Sequence, residues 1–158
     1  MNKSRHTTQL AVFVIIRNDK GEVLLIRRTN TDWDDGKYTF PSGHVESGEA
    51  VLAACVREVR EEVELEVSEK DLILKNVTQY RGRSEGERDH INFYFECTDY
   101  HNEAKIGEPD KSDDLIWLSP EKLGEVPMSD TAKFSFEKAE SSETFAVWGF
   151  ENEDKETN

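Results

Sequence analysis

The chain has 158 residues, 34 acidic and 20 basic, for a formal charge of −14. That length suits one domain with a proper core. The acid excess works against nucleic acid as the main partner, because duplex binders neutralise phosphates with Lys and Arg. A small phosphorylated ligand stays compatible with it if a divalent metal bridges the two.

The longest apolar run, Leu10 to Ile16, is far short of the roughly 20 residues that span a bilayer, so no membrane partner is expected. No basic-then-apolar leader opens the sequence. Cys55 and Cys97 make no disulfide framework, which points to a reduced cytoplasmic setting.

In chain order, residues 1–6 are polar and expected to be loose. Thr8 to Arg17 is β-branched and aromatic-rich and reads as a strand. Asn18-Asp19-Lys20-Gly21 supplies turn chemistry before a second strand, Glu22 to Arg28, so the two are expected to form a hairpin. Thr29 to Lys37 is a polar loop, and Tyr38 to Phe40 a short extended piece held by Pro41. A helical pattern follows from about Ala50 to Val63. Asp71 to Arg81 and Asp89 to Cys97 read as strands, and Tyr100 to Asp114 as a long loop of the functional or mobile kind. Leu115 to Leu118 is a further strand, Ser119-Pro120 can open a helical turn, and Ser129-Asp130 can cap a last helix. Phe145 to Phe150 reads as an edge strand, and the charged tail at 151–158 is expected to be disordered. No repeat or linker divides the chain, and residues 1–150 are expected to form a single domain.

The helical segment carries the chemistry. Projected at about 100° per residue from Val51, the residues Val51, Leu52, Cys55, Val56, Val59 and Val63 fall within an arc of roughly 140°. Glu58, Glu61 and Glu62 then sit at about −20°, −80° and +20°, a carboxylate cluster just beside the apolar stripe. Three carboxylates so placed repel one another, by several tenths of a kcal/mol per exposed pair and by more where water is excluded. A hard divalent cation such as Mg²⁺ removes that conflict, and Arg57 can fix a neighbouring carboxylate bidentately.

The segment resembles the box of the Nudix hydrolases, which is a Gly, five residues, a Glu, seven residues, then Arg-Glu-apolar-x-Glu-Glu-x-Gly-apolar. Here Gly43, Glu49, Arg57, Glu58, Val59, Glu61, Glu62 and Leu65 stand at the defined positions, and Glu64 replaces the family's Gly. The usual Pro-Gly-Gly entrance is Pro41-Ser42-Gly43. Arg27-Arg28 and Glu108-Pro109-Asp110-Lys111 ahead of Trp117 resemble the bacterial group described as MutT-like.

The resemblance implies an α/β (α+β) fold, an α/β/α sandwich around a mixed β-sheet. It implies Mg²⁺- or Mn²⁺-dependent hydrolysis of a nucleoside diphosphate linked to another moiety. Glu58, Glu61 and Glu62 would bind the metal with a main-chain carbonyl of Ser42 or Gly43. One of the glutamates would position or deprotonate water, Arg57 would orient them, and Glu49 would support the loop. Glu64 is expected to cost about 1 kcal/mol in a left-handed helix exit or to force another exit.

Outside the box, Arg28 is either a cation directed at phosphate or an exposed charge at a strand end. Phe40 either stacks on a base or packs in the core. Glu108 and Asp110 are either a further metal ligand or base, or loop acidity for solubility. Trp117 reads as core, His44 and His90 as structural, and Cys55 as packing. The leading substrate is a small nucleotide, an ordinary or oxidised nucleoside triphosphate ahead of a nucleoside diphosphate sugar, handled by a monomer or homodimer. The alternative is a non-catalytic nucleotide-sensing or interaction module of the same fold.

Overall fold

The structure is a computed structural model that describes residues 7–82 and 87–150. The N-terminal hexapeptide and the expected acidic tail at 151–158 lie outside the described residues. In chain order the elements are β1 (Gln9–Ile16), β2 (Val23–Arg28), β3 (Tyr38–Thr39), β4 (Ser42–His44), α1 (Val51–Val63), β5 (Ile73–Tyr80), β6 (His90–Cys97), β7 (Ser112–Leu118), α2 (Asp130–Glu140) and β8 (Phe145–Trp148), with 3-10 turns at Glu69–Asp71 and Pro120–Glu125.

The strands form a mixed five-stranded sheet, in the order β4-β1-β6-β5-β8, and a three-stranded antiparallel sheet, β3-β2-β7. β1 runs parallel to β6 and antiparallel to β4. β8 is the edge strand expected from Phe145 onward and lies parallel to β5.

The expected hairpin of the first two strands is corrected. The turn forms, with the Asn18 and Glu22 backbones bonded at 3.0 Å and a single antiparallel bridge between Arg17 and Val23. Beyond it β1 and β2 part and enter different sheets. The reason lies in their side chains. Ala11, Phe13, Ile15, Val23 and Leu25 feed one hydrophobic cluster, and Val12, Val14, Ile16, Leu24 and Ile26 feed another. A strand apolar on both faces is best placed centrally, with a neighbour on each side and both faces covered. Here α2 covers the first cluster through Ala132, Phe136 and Ala139, and α1 covers the second through Ala54, Cys55, Val59 and Val63.

α1 begins at Val51 without a capping side chain, and it ends on Glu64 in the left-handed region at φ 56°. The exit is therefore the one a Gly would make, and Glu64 bears the local strain, about 1–2 kcal/mol for a residue with a Cβ. Ser129 precedes α2, but its hydroxyl bonds Asp34 at 2.8 Å instead of capping the helix. The long loop after Tyr100 is pinned at intervals. Glu66 and His101 exchange backbone bonds, the Lys105 N–H donates to the Val63 carbonyl at 3.0 Å, and the Gly107 N–H donates to the Glu62 carbonyl at 2.9 Å. These bonds satisfy carbonyls that a helix end leaves without partners. No described helix is long and apolar enough to cross a membrane.

Candidate active site

Helix α1 presents its three glutamates at different depths. Glu58 and Glu62 are each 8% exposed, whereas Glu61 stands at the outer edge with its side chain about half exposed. β4 passes directly in front of them. The Glu62 carboxylate accepts the Ser42 backbone N–H at 2.7 Å. Gly43 leaves the space that Glu58 fills, since a Cβ there would fall on the Glu58 carboxylate.

Arg57 organises the rest. Its Nε and Nη2 donate to the Glu49 carboxylate at 2.7 and 2.9 Å, and Nη1 donates to Glu58 at 2.6 Å and Glu61 at 3.2 Å. Nη2 also donates to the His44 carbonyl at 3.0 Å, tying the helix to β4. Glu49 in turn accepts the Glu46 N–H at 2.9 Å and closes the loop before the helix.

Electrostatics follow from this packing. The Arg57 hydrogen bonds, aided by the Glu46 amide, hold Glu49 down at about 2, and the same carboxylates raise Arg57. Burial is the largest influence on Glu58 and raises it against the pull of Arg57. Glu62 is pushed up to about 8, chiefly by burial, with the Ser42 N–H opposing and the charges of Glu58 and Glu108 adding to the rise. A buried carboxylate beside two more acids needs positive charge.

These groups line one end of a cavity of about 680 Å³, within the range of small-molecule sites. Arg28 also lines it, its Nε donating to the Trp33 carbonyl at 2.9 Å and its guanidinium 5.0 Å from the Trp33 ring centroid. Glu108 reaches the wall paired with Lys111 at 2.8 Å, whereas Asp110 does not line it. Phe40 is corrected as a base-stacking residue. It is fully buried in the α2-side core, its ring 5.4 Å from that of Phe136, and it does not line the cavity. Thr39 at the end of β3 and Phe40 just beyond it are both buried, and no open face remains for the ring.

Sequence reasoning missed Trp33, Lys111, Tyr80 and Asn92, all of which line the cavity. Asn92 carried a usable signal, a carboxamide within the otherwise apolar run Ile91 to Phe95. His44 and His90, read as structural, meet at the cavity wall with ring centroids 5.4 Å apart.

Among the described residues, no three His, Cys, Asp or Glu side chains stand together as a closed metal-binding set. Arg57 engages Glu58 and Glu61, and the Ser42 amide holds Glu62. The donor chemistry nevertheless fits a hard divalent cation. The acids are oxygen donors, and the raised Glu62 marks a place short of positive charge.

Comparison with known proteins agrees with this geometry. The NUDIX domain family matches residues 7–140. The CTP pyrophosphohydrolase of Escherichia coli K12 is 29% identical over 118 residues, covering 75% of this chain and 81% of that protein. The nucleoside triphosphatase NudI of E. coli O139:H28 is 29% identical over 120 residues, covering 69% and 80%. The crystal structure of a MutT NUDIX hydrolase from Burkholderia pseudomallei superposes with a TM-score of 0.75 over 84% of this chain and 98% of that one, at 23% identity, and supports the fold alone. The chain belongs to the Nudix family and is a hydrolase of phosphoric anhydrides.

Proposed function

We propose that this protein hydrolyses the diphosphate linkage of a small nucleotide, with nucleoside triphosphates as the leading substrate class, using Mg²⁺ or Mn²⁺. The observation that carries the reading is the Arg57 hub, which gathers Glu49, Glu58 and Glu61 while Glu62 lies tethered to Ser42 at the same cavity end. Glu58, Glu61 and Glu62 would hold the cation, with the main-chain carbonyl of Ser42 or Gly43 and with Glu108 as the further ligand. Bound there, a divalent cation neutralises the diphosphate and lowers the pKa of a water.

The chain's own groups do the rest. Arg28 and Lys111, which line the same cavity, bind phosphate oxygens, and Arg57 keeps Glu58 and Glu61 in place. Glu61 is the least buried of the three and is held only through its 3.2 Å bond to Arg57, which leaves lone pairs for a water proton. Water oxygen then bonds to phosphorus, the bridging oxygen departs with its phosphate, and the proton rests on the Glu61 carboxylate. The two relatives named for triphosphate hydrolysis support the substrate class.

We further take residues 1–150 as one domain, since both hydrophobic clusters draw on β1 and β2. A cytoplasmic setting is consistent with two free, buried cysteines, Cys55 being pushed up to about 12 by burial and so unreactive.

The test is a hydrolysis screen with Mg²⁺ or Mn²⁺ over nucleoside triphosphates including 8-oxo-dGTP, ADP-ribose, dinucleoside polyphosphates and nucleotide sugars, with Glu61→Gln in parallel. A selective product that drops by orders of magnitude in the variant is expected. A variant that works at the wild-type rate would overturn the assignment.

A further inference from the structure

Two adjacent arginines end β2, and their side chains are used differently. Arg27 donates its Nε to Asp113 at 2.7 Å and is spent in that ion pair. Arg28 lines the cavity instead. Among the described residues it forms no ion pair, and its terminal nitrogens Nη1 and Nη2 meet no hydrogen-bond acceptor. Glu58, Glu61, Glu62 and Glu108 line the same cavity, and the charge of Arg28 lowers Glu62. A guanidinium normally closes onto a carboxylate within its reach, because charge-assisted bonds are the strong ones. Arg28 is held short of that contact.

Trp33 holds it. The Arg28 Nε donates to the Trp33 carbonyl at 2.9 Å, and the guanidinium carbon lies 5.0 Å from the Trp33 ring centroid. An acceptor at one edge and an aromatic face against the plane together fix both the position and the tilt of the group. The loop that supplies Trp33 is fastened on both sides of it. The Thr31 N–H donates to the Asp35 carboxylate at 3.1 Å, the Ser129 hydroxyl donates to Asp34 at 2.8 Å, and the Gly36 N–H donates to the Arg28 carbonyl at 2.8 Å. Asn30, Asp32 and Asp34 take left-handed backbone, with φ of 54°, 60° and 51°. Asn and Asp bear that conformation at least cost, so the sequence is matched to this loop shape.

Resting on the phosphate role given to Arg28 above, we propose that Trp33 is a positioning residue for the reaction. Its carbonyl and its ring hold the Arg28 guanidinium off the glutamates, so that Nη1 and Nη2 remain an open fork for the phosphate oxygens of the substrate. The ring acts through Arg28 and does not itself touch the nucleotide. Substrate affinity, more than turnover, therefore depends on it.

The experiment is a double-mutant cycle on kcat and KM for a hydrolysed nucleoside triphosphate. Trp33→Leu removes the ring and keeps the carbonyl. It should raise KM by about threefold to thirtyfold, the range for a cation held on an aromatic face, and leave kcat within about twofold. Trp33→Phe, which restores a face, should recover most of the loss. In an Arg28→Gln background Trp33→Leu should add nothing, because the group it positions is gone. Thermal melting establishes that each variant is folded, and Trp33→Met, which refills the volume with a flexible apolar chain, takes the place of Trp33→Leu if that protein does not fold. An unchanged KM in the folded variant would overturn the proposal. So would the same rise in KM with and without Arg28, which would place the ring on the nucleotide.

Calorimetric titration with methylenediphosphonate and Mg²⁺, a diphosphate without a base that cannot be hydrolysed, needs no turnover. Binding weaker by about threefold or more in Trp33→Leu supports the proposal, and equal affinity overturns it. If the wild type binds this probe yet hydrolyses no nucleoside triphosphate, the substrate class proposed above falls, and the titration still decides the role of Trp33.

Discussion

Gly43 and Glu58 share one space: the missing side chain of the first is where the carboxylate of the second lies. The strand that delivers Gly43 is held to β1 by the Gly43–Val12 pairing and to α1 by the Ser42–Glu62 bond, so neither partner can retreat freely. Gly43→Ala should displace the Glu58 carboxylate and lower activity by about a hundredfold, as misplacement of roughly 1 Å does elsewhere. Steady-state kinetics with a Mg²⁺ titration would check this, and wild-type activity in the variant would contradict the placement of Glu58.

Arg57 reaches three carboxylates and one carbonyl from a single guanidinium. A lysine ammonium cannot reproduce that fork. Arg57→Lys is expected to lower kcat by about tenfold to a hundredfold and to reduce stability by about 1–3 kcal/mol. Denaturant unfolding and kcat measured on the same preparation test both. Loss of stability with kcat intact would mean that Arg57 serves the fold alone.

Glu49 titrates at about 2 in the folded protein because Arg57 bonds its ionised form, against an ordinary value of 4.5. A depressed carboxylate stabilises the fold above its unfolded pKa, and that contribution is lost as pH falls through the folded value. Acid sensitivity between about pH 4.5 and 2 should therefore be weaker in Glu49→Gln than in wild type. Urea midpoints for both proteins at neutral pH and across this window provide the comparison. Parallel curves would show that the Glu49–Arg57 pair adds nothing.

Glu64 holds a left-handed backbone at φ 56° where its side chain faces solvent. Glu64→Gly should stabilise the protein by about 1 kcal/mol and leave kcat unchanged. A calorimetric melting curve reads the first and an activity assay the second. A lower melting temperature would indicate that the glutamate makes a compensating interaction.

The clustering of the three glutamates beside the apolar stripe was legible in the sequence because a helix period is local. Positions 58, 61 and 62 are set by the turn angle and by the apolar stripe beside them. The separation of β1 from β2 was not. Each strand is apolar on both faces, so either could pair with the other or with distant strands, and the choice lies in β6 and β7, about 80 to 95 residues on along the chain. Phe40 shows the same limit. An aromatic ahead of Pro-Ser-Gly reads equally as a platform or as core until the position of Phe136 is known. The place of Asn92 likewise follows only from register, which sets it across Ala11 from His44.

The loop that carries Glu108 is fastened to the end of α1 by Lys105 and Gly107, and a Cβ on Gly107 would collide with the Glu61 carbonyl oxygen. The helix thus works at both ends of the same two residues, with the Glu61 and Glu62 side chains turned toward the cavity and their main chain serving as a dock. The exposed Glu103 can vary at little consequence, because the joints on either side absorb the change. Beyond Lys105 no such slack exists. A change in that short span would be felt across the cavity as a change in helix position.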